Sequence, residues 1–172
     1  DPGAFDPVAA ASEPGPYTVG HRQVDVVYTE PAGEDRTLRT SAWYPSNETA
    51  GAPAQYLLTQ SKVALEDIAA ADDAEFPVVV YSHGHQGYAE ASSFLAEHLA
   101  SHGYYVLAPD HTGNTTFDGG DRETSIYLDR PFDLTAVFDA FEAGELVAEP
   151  RWNGRAAVFG HSFGGYTAYA AA

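Results

Sequence analysis

The sequence predicts an α/β fold, with a mostly parallel central sheet and helices on both faces. Two observations carry this. Three short apolar runs, Phe76-Pro77-Val78-Val79-Val80-Tyr81, Tyr104-Tyr105-Val106-Leu107-Ala108 and Ala156-Ala157-Val158-Phe159, are continuous rather than alternating, as in strands covered on both faces. Segments of helical period lie between them, and strand–helix–strand–helix–strand at this spacing calls for right-handed crossovers and parallel pairing.

In chain order, residues 1–16 carry Pro2, Pro7, Pro14 and Pro16 and read as an extended arm, with 17–172 forming one domain. Alternation through Val24, Val26 and Tyr28 predicts a strand over 17–29, and 38–44 is its hairpin partner. Residues 45–75 read as a polar, Ala-rich connection with one short helical stretch at Val63-Ala64-Leu65 and Ile68. After the strand at 76–81, a helix is expected from Tyr88 to His102. Ala91, Leu95, Leu99 and His102 recur there near a 3.6 period, and Gly103 ends it. The strand at 104–108 closes at Pro109-Asp110, followed by a Gly-, Thr- and Asp-rich loop over 111–124. Leu134, Val137, Phe138 and Phe141 mark the apolar stripe of the next helix. Trp43, Trp152 and the tyrosines are expected in the core and at the sheet edge. His21, His98 and His102 read as surface or helix-packing residues.

Charge excludes some partners. Of 172 residues 25 are Asp or Glu and 8 are Lys or Arg, a net charge of −17, so what is scarce is basic residues. The first 75 residues carry 13 acids against 4 bases and the rest 12 against 4, which leaves no acidic tail. Nucleic acids and anionic membranes need a basic patch, and none is present. No apolar run is long enough for a transmembrane helix. Cysteine is absent, which removes disulfides and thiolate-bound metals. A chain that opens Asp1-Pro2-Gly3 and holds no methionine reads as a processed product, which points to secretion.

The chemistry gathers after the third apolar run. Gly160-His161-Ser162-Phe163-Gly164 fits G-x-S-x-G between a predicted strand and an Ala-rich helical stretch from Tyr166. Such a tight turn holds a serine with its hydroxyl exposed, and Gly160 and Gly164 let the neighbouring backbone pack closely. Ser162 is therefore the candidate nucleophile. Ser82-His83-Gly84-His85-Gln86-Gly87 occupies the turn after the first run. The backbone N–H groups of Phe163 and His85 are the candidate oxyanion donors, and Gly84 lets the loop approach the substrate oxygen. Tyr88 and His161 are candidate substrate contacts. His83, His85, Asp110 and His111 also suit a metal rim, but Gly84 and the strand ends are better explained by oxyanion geometry. The Asp118-Gly119-Gly120-Asp121 turn does not match a calcium loop. No metal and no cofactor is expected.

These residues resemble the serine α/β-hydrolases. The Ser-His-Gly loop, Gly-His-Ser-Phe-Gly-Gly and Arg130-Pro131-Phe132-Asp133 are most similar to the branch of platelet-activating factor acetylhydrolase and dienelactone hydrolase. The resemblance covers roughly 17–172. It implies an α/β-hydrolase fold and a carboxylic-ester hydrolase, esterase- or lipase-like, acting through an acyl-enzyme. The substrates it implies are neutral or zwitterionic esters such as short-acyl lipids, or polyesters. Such hydrolases place the triad acid and histidine after the nucleophile, on loops following later strands. None lies downstream of Ser162 here, so the C-terminal strands are expected to be missing from this chain. A second polypeptide, or a C-terminal half recorded elsewhere, is expected to complete the domain. The rival readings are a cutinase-like polyester hydrolase, a thioesterase or peptidase, and a catalytically silent binding module of the same fold.

Overall fold

The computed structural model describes residues 12–31, 33–118 and 125–172. Its strands are β1 (Thr18–Thr29), β2 (Asp35–Ser46), β3 (Pro53–Gln55), β4 (Gln60–Glu66), β5 (Phe76–Ser82), β6 (Tyr105–Pro109) and β7 (Trp152–Gly160). The helices are α1 (Ser93–Ser101), α2 (Ile126–Glu142) and α3 (Phe163–Ala171). One sheet runs in the order β3-β4-β1-β2-β6-β5-β7. β6, β5 and β7 pair in parallel, and an antiparallel β1–β2 hairpin extends the sheet from β6. β6, β5 and β7, with helices on both faces, are the parallel part of the sheet that the sequence predicts; with the antiparallel pairings of β1–β2, β2–β6 and β3–β4 the whole sheet is mixed rather than mostly parallel.

The continuous apolar runs are explained by which way each residue turns. Val78 and Val80 of β5 face one side, where Tyr105 and Leu107 join them beneath Leu134, Val137 and Phe141 of α2. Val79 and Tyr81 face the other, with Val106, Ala108 and Trp43 beneath Ala96 and Ala100 of α1. Both faces of β5 and β6 are buried, so a polar residue at either parity would lose its water. The third run is not covered on both faces as expected: β7 is the edge strand, with Ala156 and Ala157 exposed and Val158 and Phe159 only partly buried. Each fully buried Leu, Val or Phe contributes roughly 1.5–3 kcal/mol relative to exposure.

Three further expectations are corrected. The stretch over 63–68 is not helical. Its spacing fits a helix, but parallel pairing of Val19, Gly20 and His21 with Ala64, Leu65 and Glu66 draws it alongside β1 as β4. The stripe of α1 is shifted by about one residue. A 3-10 turn over Ala89–Ser92 precedes it and changes the phase, so Ala89, Ala96 and Ala100 are buried while Ala91 and His102 are exposed. His21 is neither a surface nor a helix-packing residue. Its ring is fully buried in the sheet, against Trp43 and Tyr56.

Residues 13–17 lie along the end of α1, where Gly15 and Tyr17 donate backbone N–H bonds to Ser101. Residues 1–11 of the expected arm, and Gly119–Asp121 of the acidic turn, fall outside the described residues. Among the described residues no helix is long and apolar enough to cross a membrane.

Candidate active site

Ser162 stands between the end of β7 and the first residue of α3, exposed, at φ +54° and ψ −118°. A non-glycine residue in such a conformation costs of order 1–3 kcal/mol, so its surroundings must impose it. They do. The His161 N–H donates to the Ser82 carbonyl at 3.2 Å, the Gly164 N–H to the His161 carbonyl at 2.8 Å, and the Gly165 N–H to the Ser162 carbonyl at 2.9 Å. A methyl group on Gly164 would overlap the Ser82 carbonyl, and one on Gly160 would overlap the backbone of Gly164. Only glycine lets β7, β5 and α3 converge this closely.

The loop after β5 passes directly over this turn. A methyl on Gly84 would lie 3.5 Å from Ser162 Cβ and 3.2 Å from His161 Nδ1. Gly84 to Gly87 form a tight turn closed by the Gly87 N–H on the Gly84 carbonyl at 3.0 Å, with Gln86 at φ +54°. His85 is half-buried, and its ring meets Phe163 edge-on at 6.3 Å. The structure thus brings Ser162, Phe163, His161, Gly84 and His85 to one place. Tyr88 lies farther along the loop and packs edge-on against the exposed Phe117 at 6.0 Å. A bridge between Gly87 and Thr115 joins the two loops.

Behind this surface is a buried polar network that sequence reasoning missed. Four donors converge on Asp133: His111 Nδ1 at 2.7 Å, Tyr28 Oη at 2.8 Å, and Arg36 through Nε at 2.7 Å and Nη2 at 3.1 Å. A carboxylate accepts only, so His111 carries its proton on Nδ1. Its Nε2 then accepts the Ser82 hydroxyl at 2.8 Å. The fully buried Arg130 donates Nη2 to Ser82 Oγ at 2.9 Å and to the His83 carbonyl, and Nη1 to Asn114 Oδ1 at 2.7 Å. Asn114 passes the link on, its Nδ2 donating to His85 Nδ1 at 2.9 Å. The one available signal lay in α2. Arg130 and Asp133 fall at i and i+3 on the same stripe as Ile126, Leu134, Val137 and Phe141, where a charge needs a partner.

Ser82, His111 and Asp133 therefore form a Ser–His–Asp string, but all three are fully buried, and both ring nitrogens of His111 are engaged. His111 is not placed to serve as a base for the exposed Ser162. Burial holds the His111 imidazole well below its ordinary pKa, and the Arg130 and Arg36 charges push it further down. Burial does the same to His83, reinforced by His111 and Arg130. Its Nε2 accepts the His111 N–H at 3.1 Å, and its Nδ1–H donates to the Gly84 carbonyl at 2.7 Å. Burial raises the Asp133 carboxyl, against the pull of Arg36, and lowers the Arg130 guanidinium to about 10.

Of the residues weighed as metal ligands, His83 and His111 are locked as described, and Asp110 binds Arg39 and the Ala89 N–H. Among the described residues no group of three or more His, Cys, Asp or Glu is arranged to hold a metal ion.

Residues 74–172 match the family model for serine aminopeptidase, S33, which spans the nucleophile turn and the loop after β5. The chain belongs to that family. Its fold is similar to that of a ferulic acid esterase from Streptomyces cinnamoneus, at 24% sequence identity and a TM-score of 0.71. The match covers 94% of this chain and 57% of the esterase, so the chain spans a little over half of that structure. No curated protein matches the chain. Ser162 stands at the strand-to-helix turn of this α/β-hydrolase fold.

Proposed function

We propose that this hydrolase cleaves carboxylic esters through an acyl-enzyme on Ser162. The observation that carries the reading is the exposed Ser162 at φ +54°, held between Gly160 and Gly164 at the start of α3. Ser162 Oγ attacks the ester carbonyl while its proton passes to a histidine base oriented by a carboxylate. The N–H groups of Phe163 and His85 receive the oxyanion, aided by the positive end of α3. Collapse expels the alcohol, which takes the proton from the imidazolium, and water repeats the sequence to free the acid. We propose that the base and its carboxylate lie outside residues 1–172, since His83 and His111 are committed to the buried network.

The substrates proposed are neutral or zwitterionic esters such as short-acyl lipids. The likeness of the Ser-His-Gly and Arg-Pro-Phe-Asp segments to the acetylhydrolase branch supports them, and the −17 charge repels anionic substrates. A second reading, aromatic acyl esters like that named for the ferulic acid esterase, is favoured by the aromatic side chains around Phe163. Tyr166 stacks on that ring at 5.4 Å and Tyr127 meets it edge-on at 5.0 Å.

Ser162→Ala is expected to abolish both p-nitrophenyl acetate hydrolysis and labelling by a fluorophosphonate. Undiminished labelling of the variant defeats the assignment. A panel of acetyl, longer acyl, feruloyl and aminoacyl-amide substrates separates the two ester classes from each other and from peptidase activity.

A further inference from the structure

We propose that Arg130 is a positioning residue that sets the place of the His85 N–H relative to Ser162. The inference rests on the ester-hydrolase reading above and adds to it a buried side chain beneath the loop that follows β5.

Arg130 grips the loop on both sides of Gly84. On one side Nη2 holds the carbonyl of His83 and the hydroxyl of Ser82. On the other, Nη1 holds Asn114, which holds the His85 ring. The guanidinium also lies over the ring of Phe163, 4.8 Å from its centroid. One rigid fork therefore touches the residues carrying both candidate oxyanion donors, Phe163 directly and His85 through Asn114. A guanidinium is planar and directs its N–H groups at fixed angles, so it fixes a relative position that a lysine ammonium cannot. The side chain is fully buried in a chain with 8 basic residues. Burying a charge is expensive unless it is bonded, so such an arginine needs a reason beyond filling space.

Oxyanion donors act only if they are aimed where charge develops, and a misplacement of about 1 Å costs on the order of 100-fold. Loosening the loop should therefore reduce kcat and leave KM nearly unchanged.

The test uses the protein at its natural length, with each preparation titrated by a fluorophosphonate so that kcat is counted per labelled site. Arg130→Lys keeps the charge but loses the fork, and about a 30- to 100-fold fall in kcat per site is expected, with KM within about threefold. Affinity for a trifluoromethyl ketone, which forms a tetrahedral oxyanion on the serine, should fall in step with kcat/KM. Asn114→Ala cuts only the arm to His85 and should lower kcat about 10-fold; it decides the matter if Arg130→Lys does not fold. A purely structural role would reduce the labelled fraction and leave kcat per labelled site unchanged, and that result overturns the proposal. If the wild-type protein is neither labelled nor active on esters, the ester-hydrolase reading fails and takes this one with it. An active wild type with unaltered variants sinks the role of Arg130 alone.

Discussion

The hydroxyl of Tyr166 donates to the backbone carbonyl of Tyr127 at 3.3 Å. That carbonyl is the one Pro131 would serve in an ordinary helix, four residues on, and proline has no N–H to give. A side chain of α3 thus supplies the bond that α2 lacks, and the two helices are tied together beside Phe163.

Tyr166→Phe is accordingly expected to destabilise the protein by roughly 0.5–1 kcal/mol, at the low end for a hydrogen bond because Tyr166 is partly exposed. In a Pro131→Ala background the helix provides its own donor, and the same substitution should cost nothing. Urea unfolding of the four combinations measures the coupling; equal losses in both backgrounds refute the account.

Gly164→Ala is expected to disable the turn. The added methyl overlaps the Ser82 carbonyl, so α3 must move away from β5. A loss of roughly 1–3 kcal/mol and of nearly all serine labelling should follow. Gly165→Ala is the control, since its methyl would meet only the Gly160 carbonyl at an ordinary 3.6 Å. If both variants label alike, close approach is not what the glycine provides.

Acid should weaken the fold through His83 and His111. Both are held neutral in the folded protein, well below the ordinary value of 6.5, so the unfolded chain binds more protons in the interval beneath it. Their contribution is complete above pH 6.5 and is lost as pH falls below it, at up to about 2.7 kcal/mol per pH unit for two protons. Asp133 and Asp110, whose carboxyls are raised above the ordinary 3.8, act with the opposite sign, in a window that begins at that value. Melting temperature from pH 7.5 to 5.5 should fall, and His111→Gln should flatten the slope. A flat profile in the unaltered protein would exclude the mechanism.

Much of the architecture was legible because both signals it needed are local. The runs at 76–81, 104–108 and 156–159 are strands, and Leu134, Val137 and Phe141 are buried as their spacing predicts. The turn at Ser162 is equally local, being written in five consecutive residues. What escaped depends on distant partners. β4 exists because β1 offers a free ladder, which no window around Val63 reveals. Arg130 and Asp133 stand out in the sequence only as part of a likeness, because their burial is meaningful once Tyr28, Arg36 and His111 arrive from three other segments.

Asp133 is the residue on which that buried network turns. It takes bonds from Tyr28, Arg36 and His111, and it is the nearest compensation for two guanidinium charges in a nearly dry interior. Asp133→Asn has almost the same shape, so any loss reports charge and acceptor geometry rather than packing. An amide has one acceptor oxygen and two N–H groups, so at least one of the four donors must face a donor. Removing one partner from a buried ion pair typically costs about 3–5 kcal/mol, and a loss of that size is expected here. Tyr28→Phe deletes a single neutral donor and should cost about 1 kcal/mol. The contrast is the test. Two equal, small losses in denaturant unfolding would mean that Asp133 is not the electrostatic centre of the network and that Arg36 finds its compensation in Glu30, which lies 3.5 Å away.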